Sequence, residues 1–142
     1  MSDDLLTWTP TPLVVDASVG FKWFATHEPG ADAAARVLAE HGDGHVALMV
    51  PEHMLIEITH ALGRRQAGDE LATAIDALFD FELFVIPLDR DLLREAARIS
   101  TEERIALYDA VYVALAARFD AELVTADARQ AATRSCRVKL IT

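Results

Sequence analysis

A chain of 142 residues is long enough to enclose one hydrophobic core and is read as a single domain, residues 1–142. Its 52% hydrophobic and 25% charged residues exclude a disordered chain. A net charge of −10 excludes binding to polyanions by broad electrostatic attraction, so any nucleic-acid chemistry has to lean on metal ions and on arginine, which supplies 11 of the 13 basic residues.

In chain order, Met1-Ser2-Asp3-Asp4 is acidic where an export signal is basic, and the expectation is a cytoplasmic protein. The uncharged stretch Leu5–Val15 contains three Thr and two Pro and falls short of the ~20 apolar residues of a spanning helix, so no membrane segment is expected. Leu13-Val14-Val15 reads as a buried strand ending at Asp16. Helical spacing follows over Ser18–Thr26 and Asp32–Glu40, broken at Pro29-Gly30. His45–Val50 is a second apolar strand, entered from Gly42-Asp43-Gly44 and closed by Pro51. Leu55, Ile58 and Leu62 place a helix from Glu52 towards Gly68, and Leu71, Ile75 and Leu78 place another. Phe84-Val85-Ile86 is a third strand, cut by Pro87, and Asp89 caps a helix carrying Leu92, Leu93, Ala96 and Ile99. Thr101 opens the next helical segment, and Ile105–Phe119 is the strongest helix, with Ala110, Ala114 and Ala117 on a face suited to close packing. Leu123-Val124-Thr125 and Val138–Ile141 are the last two strands, with a short helical segment between them. Strands alternating with helices, several of them continuous apolar runs, predict an α/β fold: a three-layer sandwich on a central, mainly parallel five-stranded sheet. Cys136, the single cysteine, has no disulfide partner and reads as core filler.

In open α/β sheets functional groups collect beyond the carboxyl ends of the strands, at a topological switch point. Asp16 and Asp127 fall at such ends, and Glu57 lies one and a half helical turns past the second strand. Asp109 interrupts the apolar run Ile105–Val113, and Glu57 interrupts Met54–Ile58. A carboxylate among apolar neighbours calls for a partner, a proton or a metal, and oxygen-rich clusters suit Mg²⁺ or Mn²⁺. Each acid also has a plain structural reading, as cap, half-exposed helix residue or turn former.

Four segments in order carry a family resemblance. They are Val14-Val15-Asp16-Ala17-Ser18, Pro51 followed by Glu57, Tyr108-Asp109-Ala110-Val111-Tyr112-Val113-Ala114-Leu115-Ala116, and Leu123-Val124-Thr125-Ala126-Asp127. No segment is specific alone, but the ordered set resembles the PIN domain, and within it the VapC-type ribonuclease toxins of toxin–antitoxin pairs. The resemblance implies a PIN-like fold with Asp16, Glu57, Asp109 and Asp127 as catalytic and metal-holding acids, and Ser18 and Thr125 as supporting hydroxyls. It further implies Mg²⁺- or Mn²⁺-dependent cleavage of RNA phosphodiesters by metal-activated water, a cognate antitoxin and a homodimer.

Two positions depart from the common toxin pattern: Ala106 stands where many carry Ser or Thr, and Gln130 where many carry Leu. Arg64, Arg65, Arg104 and Arg129 lie near the acid-bearing segments and are candidates for phosphate contact. His53 and His60 share a helical face without a third ligand in sequence and read as ordinary histidines, while Phe21, Trp23 and Phe24 read mainly as core, with a share in an antitoxin groove suggested by the resemblance. Two rival readings stand beside the nuclease. One is a PIN-like interaction module without catalysis; the other is an α/β phosphotransfer domain, against which Ser18 holds the place of the second acid that a haloacid-type phosphatase requires.

Overall fold

A computed structural model describes residues 9–142. Five strands, β1 (Thr11–Val15), β2 (Val46–Pro51), β3 (Phe84–Ile86), β4 (Glu122–Thr125) and β5 (Val138–Leu140), form a wholly parallel sheet in the order β3-β2-β1-β4-β5. Among the described residues the connections carry helices α1 (Ala17–Lys22), α2 (Ala31–Gly42), α3 (His53–Gly63), α4 (Asp69–Asp80), α5 (Arg90–Glu103), α6 (Leu107–Arg118) and α7 (Ala128–Ala131). The chain builds β1, β2 and β3 outward in one direction, then crosses back to lay β4 beside β1. The β1/β4 boundary, where Val15 pairs with Val124, is therefore the switch point of the sheet.

The central strands bury consecutive residues, Val14-Val15, Leu48-Met49-Val50 and Leu123-Val124, so both faces of the sheet are covered. That is the three-layer arrangement a parallel sheet demands. Helix α6 buries every residue from Ala110 to Ala116 and packs on α5 and on β1, β2 and β4, which explains its lack of a polar face. On the other side Gly20 lets α1 approach α3, since a Cβ there would stand 2.6 Å from Cδ1 of Ile58. No helix among the described residues is long and apolar enough to cross a membrane.

Several boundaries differ from the sequence reading, each for a local reason. The first helix ends at Lys22 instead of Thr26, because the amides of Trp23 and Phe24 donate three residues back, to Gly20 and Phe21 carbonyls, and tighten the chain out of α-helix. Pro51 belongs to β2, in register with Ile86, because a proline at a strand end need not donate to the ladder. Thr101 opens no helix: α5 runs through it to Glu103 and stops at Arg104, which adopts the left-handed conformation. Ile105 and Ala106 form an extended link into α6, and Ala117 is exposed beyond the buried stretch. Trp23 and Phe24 pack against Phe81, with the Trp23 indole donating to the Ala34 carbonyl at 3.0 Å. Cys136 is half-buried against the core, and burial pushes its thiol up to about 11.

Candidate active site

Asp16 follows β1 and caps α1, its carboxylate accepting from the Ser18 amide at 3.1 Å. It is only 5% exposed, yet no cation touches it among the described residues. Two hydroxyls hold it instead. Ser18 Oγ donates to Oδ1 and Thr125 Oγ1 donates to Oδ2, each at 2.5 Å. Both hydroxyls also accept: Ser18 from the Ala126 amide at 2.9 Å, Thr125 from the Asp127 amide at 3.0 Å. The donor and acceptor roles of each are thus fixed, and the carboxylate is held across the β1/β4 switch point. Burial outweighs these bonds and raises the Asp16 pKa above its ordinary value.

Glu57 reaches the same region from α3. Its Oε1 accepts from the Tyr112 hydroxyl at 2.7 Å and lies 3.0 Å from His53 Nε2, at ion-pair distance but off the angle of a formed hydrogen bond. Burial pushes the Glu57 carboxyl up, but His53 and Tyr112 together outweigh it and the net direction is downward. Asp109, in the first turn of α6, is shifted the other way, by burial first and then by the Glu57 and Asp127 carboxylates, with Arg129 and His53 opposing. Tyr112 is held as a neutral phenol by burial and by Glu57, Asp16 and Asp109 around it. Charge thus links Asp109 to Glu57 and to Asp127, and Tyr112 to Glu57, Asp16 and Asp109. Asp127 caps the short α7 through the Arg129 amide at 2.9 Å. Among the described residues, no three His, Cys, Asp or Glu side chains stand close enough to close a metal cage by themselves.

Beside the acids a cleft of about 470 Å³ is lined by Ser18 and Glu57, with Phe21, Lys22, His60 and Arg64 on its walls. The Arg65 guanidinium sits 4.9 Å over the Phe21 ring and 3.6 Å from Glu28.

The family model for PIN domains matches residues 13–135 of the chain. The chain belongs to the PIN domain family. Ribonuclease VapC3 of Mycobacterium tuberculosis is 34% identical over 128 residues, covering 88% of this chain and 89% of that protein. Ribonuclease VapC1 of the same organism is 32% identical, with 78% and 95% covered. Among solved structures, VapBC2 from Rickettsia felis, bound to a promoter DNA fragment, aligns with 93% of this chain and 100% of that one at a TM-score of 0.72 and 13% identity. VapC20 of M. tuberculosis, a sarcin–ricin loop cleaving toxin, gives a TM-score of 0.66 at 21% identity over 88% of this chain and 98% of that one. At these identities the solved structures speak to the fold, and the three-layer α/β sandwich expected from the sequence is the PIN fold. Membership of the PIN family sets aside the phosphotransfer reading.

Three residues of this PIN domain that matter to the site escaped the sequence reading or entered it in another role. Tyr112 stands three residues after Asp109, a spacing that puts both on one helical face, and a tyrosine in an otherwise aliphatic buried run signals a hydroxyl needing a partner. His53 stands four before Glu57, again on one face, and is a neighbour of the acids instead of an ordinary histidine. Gln130 is 4% exposed and donates through Nε2 to the Asp109 carbonyl at 3.0 Å, tying α7 to the first turn of α6. The departure from Leu at this position is thus a polar tether between two acid-bearing segments.

The donor set of the PIN site fits a hard divalent cation. Its atoms are carboxylate and hydroxyl oxygens without thiolate, and Asp16 is buried with donors but, among the described residues, no positive partner.

Proposed function

We propose that this PIN domain is a metal-dependent endoribonuclease, the toxin of a VapBC-type pair held in check by a cognate antitoxin and acting as a homodimer. The observation that carries the chemistry is Asp16: a buried carboxylate, fixed by two hydroxyls at the switch point of the sheet, with no cation in contact among the described residues. The ribonuclease assignment comes from the similarity to Ribonuclease VapC3 and VapC1 over most of both chains.

Asp16, Asp109 and Asp127, with Glu57 directly or through water, would hold Mg²⁺ or Mn²⁺. When bound, such an ion supplies positive charge at the scissile phosphate and makes water a better nucleophile at neutral pH. The chain's own groups supply the setting. Ser18 and Thr125 fix the Asp16 carboxylate so that its remaining lone pairs point away from their hydroxyls. Tyr112, kept protonated, donates to Glu57 and holds it beside the cleft. Gln130 holds the backbone at Asp109 against α7, so the third and fourth acids move together. Burial and the acidic neighbours Glu57 and Asp127 raise the Asp109 pKa.

The test is cleavage of a purified transfer and ribosomal RNA panel with Mg²⁺, Mn²⁺ or chelator, comparing the protein with Asp16→Asn. Cleavage should require the metal and vanish in the variant. Undiminished cleavage in chelator would overturn the cofactor assignment, and undiminished cleavage by Asp16→Asn the site assignment.

A further inference from the structure

Within a chain of net charge −10, the arginines divide into two groups. Arg65, Arg98, Arg118 and Arg137 are each paired with a carboxylate. Arg104 and Arg129 are exposed and, among the described residues, enter no ion pair or side-chain hydrogen bond. The fold sets these two together against the acids: with Ile105, Ala106, Asp109 and Gln130 they line a cleft of about 200 Å³. A second cleft, about 210 Å³, shares Arg104 and Arg129 and extends to Arg134. Its two acids are engaged elsewhere, Glu102 with Arg98 and Glu103 with the Ser135 hydroxyl.

Arg104 ends α5 in the left-handed conformation, with φ 57° and ψ 46°, which Glu82 and Asp120 also adopt. The acids nearby would repel an RNA strand, and unpaired guanidiniums at their edge are what a polyanion needs to approach them.

We propose that Arg104 and Arg129 form a phosphate-binding subsite that grips the RNA backbone next to the cleaved bond and leads the strand onto Asp109. The proposal rests on the ribonuclease reading above. Arg134 extends the same track.

The experiment compares wild type, Arg104→Ala/Arg129→Ala, Arg104→Lys/Arg129→Lys, Arg104→Gly, and Arg36→Ala as a control. Arg36 lines a separate cleft with Leu13, Glu122 and Lys139, which none of the four acids lines. Steady-state RNA cleavage and chelator-treated anisotropy with a non-cleavable 2′-O-methyl RNA are both measured across salt. The double alanine variant should raise KM about 10-fold or more with kcat changed far less, and weaken RNA binding by a similar factor. The salt dependence should become shallower by about 0.7 per lost single-strand phosphate contact. Lysines should restore the salt slope but only part of KM, for want of the bidentate fork. Arg104→Gly should raise KM while keeping or raising Tm, which a merely structural arginine would not do. Arg36→Ala should match wild type in RNA binding.

Unchanged KM and RNA affinity in the double variant would overturn the subsite, as would an equal loss in Arg36→Ala. Loss of a co-purifying protein partner with RNA binding intact would also overturn it, and assign the cleft to that partner. A wild-type protein that binds the RNA through these arginines but never cleaves any RNA with either metal would sink the ribonuclease reading, not the subsite.

Discussion

Replacing Asp16 with Asn should abolish metal-dependent chemistry and, at the same time, make the metal-free protein more stable. The amide keeps an oxygen at the Oδ1 position, so the Ser18 and Val19 amides retain their acceptor and α1 keeps its cap. At Oδ2 the new NH₂ can donate to Thr125 Oγ1, reversing the present direction of that bond. What disappears is a buried charge. Its desolvation costs several kcal/mol, set against roughly 1.5–3 kcal/mol for each charged hydrogen bond that holds it. The raised pKa means that desolvation wins. A gain on the order of 1 kcal/mol is the expected remainder, or roughly 2–4 °C in Tm for a chain of this size. The pH sign follows from the direction of the shift. With the folded pKa above the unfolded one, wild type is penalised most above the raised value, and the penalty fades as pH falls towards the ordinary carboxylate range near ~4. Calorimetry in chelator from about pH 8 to about pH 5 should therefore show the Asp16→Asn variant melting above wild type, with the gap closing as pH falls. Adding Mn²⁺ should reverse the order, since metal at 100 times its Kd stabilises the competent protein by ~2.7 kcal/mol. A well-folded variant that melts below wild type in chelator at neutral pH would refute the reasoning.

Tyr112→Phe removes the donor to Glu57 at 2.7 Å and should cost about 1–2 kcal/mol in urea unfolding, lower cleavage less than Asp16→Asn does, and raise the Glu57 pKa seen by NMR. Gly20→Leu, which sets new carbons against Ile58 and Met54, should force α1 from α3 at about 1–3 kcal/mol and depress cleavage as Asp16 and Ser18 separate from Glu57. Asp89 is held down to about 2 by the Arg118 guanidinium and the Leu92 amide. Its depressed pKa means a stabilising contribution present above ~4 and lost as pH falls towards about 2, so Asp89→Ala should be less stable than wild type near neutrality and indistinguishable from it at the acid end. Gln130→Leu should retain stability while lowering kcat, and a kcat equal to wild type would remove the tether between α7 and Asp109 from the account.

The sheet was legible because its strands are buried on both faces and so appear as unbroken apolar runs, as at Leu48-Met49-Val50. Helix ends were harder, because what stops a helix is often geometry without a signature residue. Arg104 ends α5 in a conformation that its side chain gives no hint of, and Ala106 starts α6 without a capping side chain. Of the site, the acids could be read because a carboxylate is conspicuous among aliphatic residues. Tyr112 and His53 were harder: the i,i+4 spacing sets His53 beside Glu57 within α3 but does not name it a site neighbour, and Tyr112 meets Glu57 only because α6 comes near α3. The departures at Ala106 and Gln130 looked alike in sequence. One is a bare helix start, the other a buried hydrogen bond.

The bond between Asp16 and Thr125 joins residues 109 apart in the chain. During synthesis, at about 5–20 residues per second, the carboxylate waits for several seconds without the strand that fixes it. A growing chain therefore carries its first acid from the outset but cannot complete the centre until β4 has left the ribosome and docked beside β1. The order of the strands acts as a delay, and a chain ending before Glu122 should be inert towards RNA even where β1 to β3 have folded. For a protein proposed to cut RNA, that delay separates the making of the chain from the onset of its activity.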